Sequence, residues 1–250
     1  MAELLHIPFS PWSEKARWAL ELCGVSYDKR SYVPILGELT LRRALKRYRG
    51  PVSVPMLRDG ASVYADSFAI ARYADAHGTR KIFPPGQDER IAHYDALSER
   101  GLAAGRALSL KRVLASGDAV LDFVPKALRR SRSVAMAIGR AGIRRTFEKY
   151  GGHLQPSKVH QEALCEVLDT LRADLAASPS TSEPRTLLDK LSYADVAMAQ
   201  VLAFVRPPAA GPRMGQAMRR ALEDPLLAER YSDLLAWRDA LYARYREARG

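Results

Sequence analysis

The 250 residues predict a small α/β domain followed by an all-α domain, and three observations carry that reading. From Glu3 to about His77, short strand-like runs alternate with helical ones. Beyond Asp88 nearly every stretch has helical periodicity. Between them the prolines and glycine of "FPPGQDE" (Phe83–Glu89) mark a joint. The division that follows is a first domain at 1–80, a linker at 81–87 and a helical domain at 88–250.

The elements of the first domain follow from their punctuation. "ELLHIPF" (Glu3–Phe9) is an apolar run of strand length that stops at Ser10-Pro11. A serine at the cap and a proline at the first helical position start a helix, and Gly24 ends it. Within that helix Ala16, Ala19, Leu20 and Cys23 share one face. "VSYDKRSYV" (Val25–Val33) reads as a second strand and "LTLRRALKRY" (Leu39–Tyr48) as a basic helix. "VPMLRDGASVYAD" (Val54–Asp66) is a hairpin around an Asp59-Gly60 turn. Asp66-Ser67 then opens "SFAIARYADAHG", a helix closed by Gly78. The order βαβαββα is too short for two dinucleotide-binding halves, and the chain has no G-x-G-x-x-G. No internal repeat is visible, and "SPSTSEP" (Ser178–Pro184) is the one low-complexity loop.

Composition excludes several classes. The start, "MAELLHIPFS", lacks the basic-then-apolar pattern of a secretion signal, and uncharged runs such as Val196–Val205 fall far short of the roughly 20 residues that span a bilayer. Cys23 and Cys165 lie far apart in helical patterns, poor material for a disulfide framework or metal site and consistent with a reducing cytoplasm. His6, His77, His93, His153 and His160 show no ligand spacing and read as surface or core imidazoles, so no metal is expected.

The motifs "SPWSEKAR" (Ser10–Arg17), "SVPML" (Ser53–Leu57) and "YADSFAIARYAD" (Tyr64–Asp75), in this order of elements, resemble the thioredoxin-like N-terminal domain of cytosolic glutathione transferases. "LSYADVAMAQVL" (Leu191–Leu202) resembles the motif that begins a core helix in their all-helical second domain. The resemblance covers nearly the whole chain. It implies the glutathione transferase fold, glutathione as co-substrate, a small electrophile as second substrate, a cytoplasmic homodimer and a role in detoxification. Ser192 and Asp195 form a capping box, a structural role with no chemistry.

The site residues come from the same matches. Ser10 stands where serine-type relatives carry the group that stabilises the thiolate. A thiol with a pKa near 8.5 is mostly protonated at neutral pH. A hydroxyl donating to the sulfur, at a helix N-terminus that favours anions, shifts it toward the reactive form. Helix capping is the alternative role for Ser10. Ser13 stands where a redox relative would keep a second cysteine; neither position is cysteine here, which excludes dithiol chemistry. Val54-Pro55 resembles the cis-proline turn whose preceding residue offers its backbone to the cysteinyl part of glutathione; a proline at a strand start is the alternative. Asp66 and Ser67 resemble the pair that holds the γ-glutamyl end, the carboxylate at the helix N-terminus and the ammonium at Asp66. Trp12, at the helix mouth, is expected to border the electrophile site. Many relatives carry a basic residue two or three positions before the turn proline, near the glycine carboxylate. Those positions here are Val52 and Ser53, leaving Arg49 as a substitute.

The charge is concentrated. Between Lys126 and Lys149 eight basic residues face the single Glu148, so this stretch supplies +7 of the net +11. Leu128, Val134, Met136, Ile138, Ile143 and Phe147 interleave them. Such a segment suits a solvated helix face, an anionic membrane surface or the rim of a cleft for acidic substrates. Nucleic acid is not expected, since no binding motif accompanies the cluster. Two alternatives stand beside the transferase reading: a non-catalytic interaction module on the same fold, and a membrane-surface protein using this segment.

Overall fold

The computed structural model describes residues 1–32, 37–125, 128–211 and 214–246. Its first domain is a four-stranded mixed sheet of β1 (Ala2–His6), β2 (Tyr27–Ser31), β3 (Met56–Asp59) and β4 (Ser62–Ala65), in the order β2-β1-β3-β4. Strand β1 runs parallel to β2, joined through the crossover helix α1 (Pro11–Leu22), and antiparallel to β3. The apolar β1 is central, with Leu4 and Leu5 buried. β2, "YDKRS", is largely exposed at the edge, and its charges discourage further strand pairing. The hairpin turn forms at Asp59-Gly60, where Gly60 has a φ of 56°. Helix α2 (Glu38–Ala44) is shorter than its sequence pattern: the chain leaves helical geometry at Lys46, whose φ is 51°. Helix α3 (Ser67–His77) ends at Gly78 as expected. Val33, the last residue of the expected second strand, lies outside the described residues, as does Lys126.

The second domain comprises α4 (Asp88–Ala115), α5 (Gly117–Phe123), α6 (Arg132–Lys149), α7 (Ser157–Ala177), α8 (Tyr193–Val201), a 3₁₀ turn (Leu202–Phe204), α9 (Gln216–Leu222), α10 (Pro225–Arg230) and α11 (Ser232–Tyr245). Every residue of α8 is buried, so "YADVAMAQV" is a helix apolar on all sides at the centre of its domain. The capping box forms at its start. Asp195 accepts from the N–H of Leu187 (2.7 Å), the N–H of Ser192 (2.9 Å) and the Ser192 hydroxyl (3.1 Å). Burial nevertheless pushes the Asp195 carboxyl up to about 6. α4 passes close to α8 and the 3₁₀ turn because Gly101 and Gly105 face them: a Cβ at Gly101 would lie 2.7 Å from Val201, and one at Gly105 2.7 Å from Phe204. One continuous core joins α1 and α3 of the first domain to α4, α7, α8 and α11. Trp18 of α1 packs against Tyr242 of α11 with ring centres 4.5 Å apart and planes tilted by 55°, and the Tyr193 N–H donates to the Ile82 carbonyl of the linker at 2.9 Å. Among the described residues no helix is long and apolar enough to cross a membrane, and no cluster of His, Cys, Asp and Glu suits a metal ion. Both cysteines are free; burial, first of all, pushes the Cys23 thiol up to about 12.

Candidate functional site

Strand register gathers the predicted site at one end of the sheet. Leu5 opposite Met56 sets the exit of β1 beside the entry of β3, and Met56 opposite Ala65 sets Pro55 beside Asp66. The β1–α1 loop, the turn before β3 and the start of α3 therefore leave the sheet together.

The loop is fastened from inside. Arg17 donates to the Pro8 carbonyl (2.7 Å) and to the Glu14 carboxylate (2.6 Å), and its Nη1 lies 2.5 Å from His6 Nδ1. Burial, reinforced by the Arg17 charge, brings His6 down to about 4, so the ring is neutral at pH 7 and accepts from the guanidinium. Arg246, just past α11, reaches Glu14 at 2.8 Å. Ser13 is fully buried and accepts the Ile7 N–H at 3.2 Å, which makes it part of the fastening. Ser10 holds the cap position of α1, with φ −79° and ψ 127°, and its carbonyl accepts the Glu14 N–H at 2.9 Å. Its hydroxyl makes no capping hydrogen bond. The capping role open to Ser10 in the sequence is therefore not taken up by its side chain.

The Val54-Pro55 peptide is cis, and the Pro55 carbonyl accepts the Asp66 N–H at 3.2 Å. Among the described residues neither the N–H nor the carbonyl of Val54 is engaged. Asp66 is the cap of α3, its carboxylate accepting the Ala69 N–H at 2.8 Å. Its φ of 84° with ψ of 161° belongs to a region almost reserved for glycine, a strain of about 1–3 kcal/mol of the kind found at functional sites. Ser67 is buried beneath it, next to the hydroxyl of Tyr193 on α8. That buried hydroxyl has no hydrogen-bond partner among the described residues, and burial holds its pKa well above the usual value.

The helical domain contributes groups that sequence patterns do not connect to the site. Lys15, fully buried, donates to Asp95 (2.6 Å), Glu99 (2.8 Å) and Ser98 (3.0 Å) on α4. Burial raises the Asp95 pKa and the Lys15 charge opposes that rise. Trp12 Nε1 donates to Glu99 at 2.6 Å, and its ring meets the guanidinium of Arg106, whose Cζ is 4.5 Å from the ring centre. The expected bordering position of Trp12 is thus a seam between α1 and α4. The basic segment ends at the first domain: Lys149 Nζ donates to the Val52 carbonyl at 2.5 Å, and Arg145 pairs with Glu38 at 3.1 Å. Arg49, the substitute cation expected from sequence, is exposed. Lys149 occupies the neighbourhood that Val52 and Ser53 leave without a charge. No signal in the sequence links residues this far apart.

Residues 9–77 match the family model described as "Glutathione S-transferase, N-terminal domain". Among solved structures, a glutathione S-transferase from Methylobacillus flagellatus with glutathione bound is 15% identical, with a TM-score of 0.61, over 99% of this chain and 96% of that one. A glutathione transferase of Phanerochaete chrysosporium is 19% identical (TM-score 0.65), covering 98% of each chain. One from Ceriporiopsis subvermispora in complex with glutathione is 20% identical (TM-score 0.61), over 98% of this chain and 94% of that one. No curated protein matches the chain in sequence. The protein has the glutathione transferase fold, and residues 9–77 of its first domain are similar to the N-terminal domain of glutathione S-transferases.

Proposed function

We propose that the protein binds glutathione at the sheet end described above, stabilises its thiolate with Ser10 and transfers it to a small electrophile. The observation that carries this reading is the conjunction at one place of two polar groups unengaged among the described residues, the Ser10 hydroxyl and the backbone of Val54, with the strained capping residue Asp66 at the N-terminus of α3. Structures of two similar transferases with glutathione support it.

Glutathione supplies the thiol nucleophile. On this chain Ser10 donates its hydroxyl hydrogen to the sulfur, which favours the anionic form. Val54 pairs its N–H and carbonyl with the extended cysteinyl backbone, as an added strand would. Asp66 takes the ammonium group and the first turn of α3, with Ser67, takes the γ-glutamyl carboxylate. Lys149 supplies positive charge near Val52 for the glycine carboxylate. The thiolate then attacks the electrophile, forming a carbon–sulfur bond. The displaced electron pair leaves with the leaving group, or stays on the electrophile and takes up a proton. Trp12, at the seam with α4, borders the electrophile. A cytoplasmic homodimer engaged in detoxification belongs to the same reading and rests on the resemblance alone.

A second reading has one observation in its favour. On α6 the exposed Val134 (54%) and Ile138 (40%) are flanked by the exposed Arg140 and Arg144, a basic-apolar face suited to contact with an anionic membrane surface. Calorimetry with glutathione, paired with a conjugation assay, tests the first reading. Saturable binding with turnover is expected, and no binding would return the chain to the interaction-module alternative. Salt-sensitive sedimentation with anionic liposomes, lost on neutralising Arg129, Arg130, Arg132 and Arg144, tests the second.

A further inference from the structure

Between α4, the end of α6 and the start of α7 lies a cavity of about 190 Å³, lined by Ala103, Ala107, Leu110, Phe147, Tyr150 and Arg106. It contains none of Ser10, Val54, Pro55, Asp66 or Ser67. Arg106 is its distinctive member. The guanidinium lies against two rings, its Cζ 4.5 Å from the centre of Trp12 and 3.8 Å from that of Tyr150. Among the described residues it has no carboxylate within salt-bridge distance, and none of its N–H groups donates to a protein acceptor. Arg100, which also lines the cavity, is by contrast paired with Glu166.

A guanidinium carries its N–H donors in its own plane, and rings close over it favour approach of an acceptor along that edge. The rings hold the plane in orientation, so little freedom is lost when an acceptor arrives. Burial, the largest influence on Arg106, disfavours its charge, and Tyr150 and Glu99 offset it only in part. A half-buried cation with no paired carboxylate gains most from an anion that can accept two parallel hydrogen bonds. Apart from Arg100 and His160 the remaining lining is apolar, and an apolar cavity of about 150 Å³ admits a benzene ring.

We propose that this cavity binds a small carboxylate with an apolar, ring-sized body, the carboxylate held edge-on by Arg106 and the body lying against Ala103, Ala107, Leu110 and Phe147. Trp12 connects the pocket to the helix that begins at Ser10. The site is therefore placed to select acidic partners, yet its binding does not depend on glutathione or on transferase activity.

Calorimetry on the whole protein without glutathione tests this, using benzoate and 1-naphthoate against benzamide and 1-naphthamide. At least one carboxylate is expected to bind about ten- to a hundredfold more tightly than its amide, the range for hydrogen bonds to a charged group. In Arg106→Met the preference should shrink to roughly twofold, with the amide's affinity nearly unchanged. Equal binding of carboxylate and amide by the wild-type protein, or no binding of either carboxylate, overturns the proposal without reference to any variant. An undiminished preference in a folded Arg106→Met also overturns it.

Discussion

Replacing Lys15 by methionine should destabilise the seam between the two domains without touching the site directly. The ammonium is fully buried and bonded to Asp95 at 2.6 Å, Glu99 at 2.8 Å and Ser98 at 3.0 Å. The Glu99 side chain is 44% exposed and can be rehydrated, so its share of the loss is small. Asp95 is 16% exposed and would be left as a mostly buried carboxylate with its principal counter-charge gone. Removing one partner of a buried pair costs about 3–5 kcal/mol, which in a chain of this size lowers the melting temperature by roughly 10 °C. The sign with pH is fixed by Asp95. Without Lys15 its folded-state pKa rises further above the unfolded value, so the penalty is full at neutral pH and shrinks as acid protonates the carboxyl. Thermal and urea unfolding of Lys15→Met and of Lys15→Met/Asp95→Leu, at pH 7 and at pH 5, check this. The double variant should recover more than half of the loss. A single-variant loss under about 1 kcal/mol, or a double variant no better than the single, would refute the argument that an uncompensated Asp95 carries the cost.

Three further outcomes follow from the same structure. Asp66→Asn, which keeps a cap for the Ala69 N–H while losing the charge, and Ser67→Ala should raise KM for glutathione about tenfold with little change in kcat, because both act far from sulfur; a fall in kcat at unchanged KM would remove them from glutathione binding. Lys149→Met should weaken glutathione in calorimetry by about tenfold, the low end for a hydrogen bond to a charged group, and leave the affinity unchanged if the lysine only ties α6 to Val52. His6, held near 4 when folded and near 6.5 when unfolded, withdraws up to about 3 kcal/mol of stability as pH falls from 6.5 to 4. Asp195, raised to about 6, adds stability as pH falls from about 6 toward 4. The two offset each other in the wild-type protein, so His6→Gln should gain stability relative to wild type on going from pH 7 to pH 5 in urea titrations, and parallel profiles would contradict it.

What could be read from the chain was local. Ser10-Pro11, Asp59-Gly60, Asp66-Ser67 and Gly78 are turn and cap signals whose physics acts within a few residues, and each marks a boundary where the structure has one. Helix α2 ends before its sequence pattern does, and nothing in "RRALKRY" announces the positive φ at Lys46. The groups that fasten the site, Lys15 to Asp95 and Lys149 to Val52, are 80 and 97 residues apart in the chain. Arg106 meets Trp12 across a comparable gap. A lysine or arginine in a helical pattern looks like a solvated face until the fold brings its partner, or the lack of one, into view. For the same reason the basic stretch 126–149 could not be divided by sequence. Its carboxyl-terminal end, Arg145 and Lys149, turns to the first domain, while Arg140 and Arg144 face outward.

The central claim is that the Ser10 hydroxyl lowers the pKa of the glutathione thiol. Titrating the ultraviolet absorbance of the thiolate in the wild-type complex and in the Ser10→Ala complex measures that directly. The Ser10 hydroxyl makes no capping bond, so the substitution should leave the fold and glutathione affinity nearly intact. The account predicts a bound thiol well below the roughly 8.5 of a free one in the wild-type complex, and a rise of about 1–2 pH units in Ser10→Ala, matching the ~1.5–3 kcal/mol of a hydrogen bond to a charged group. The same low thiol pKa in both complexes would contradict it and move the thiolate's partner elsewhere in the loop.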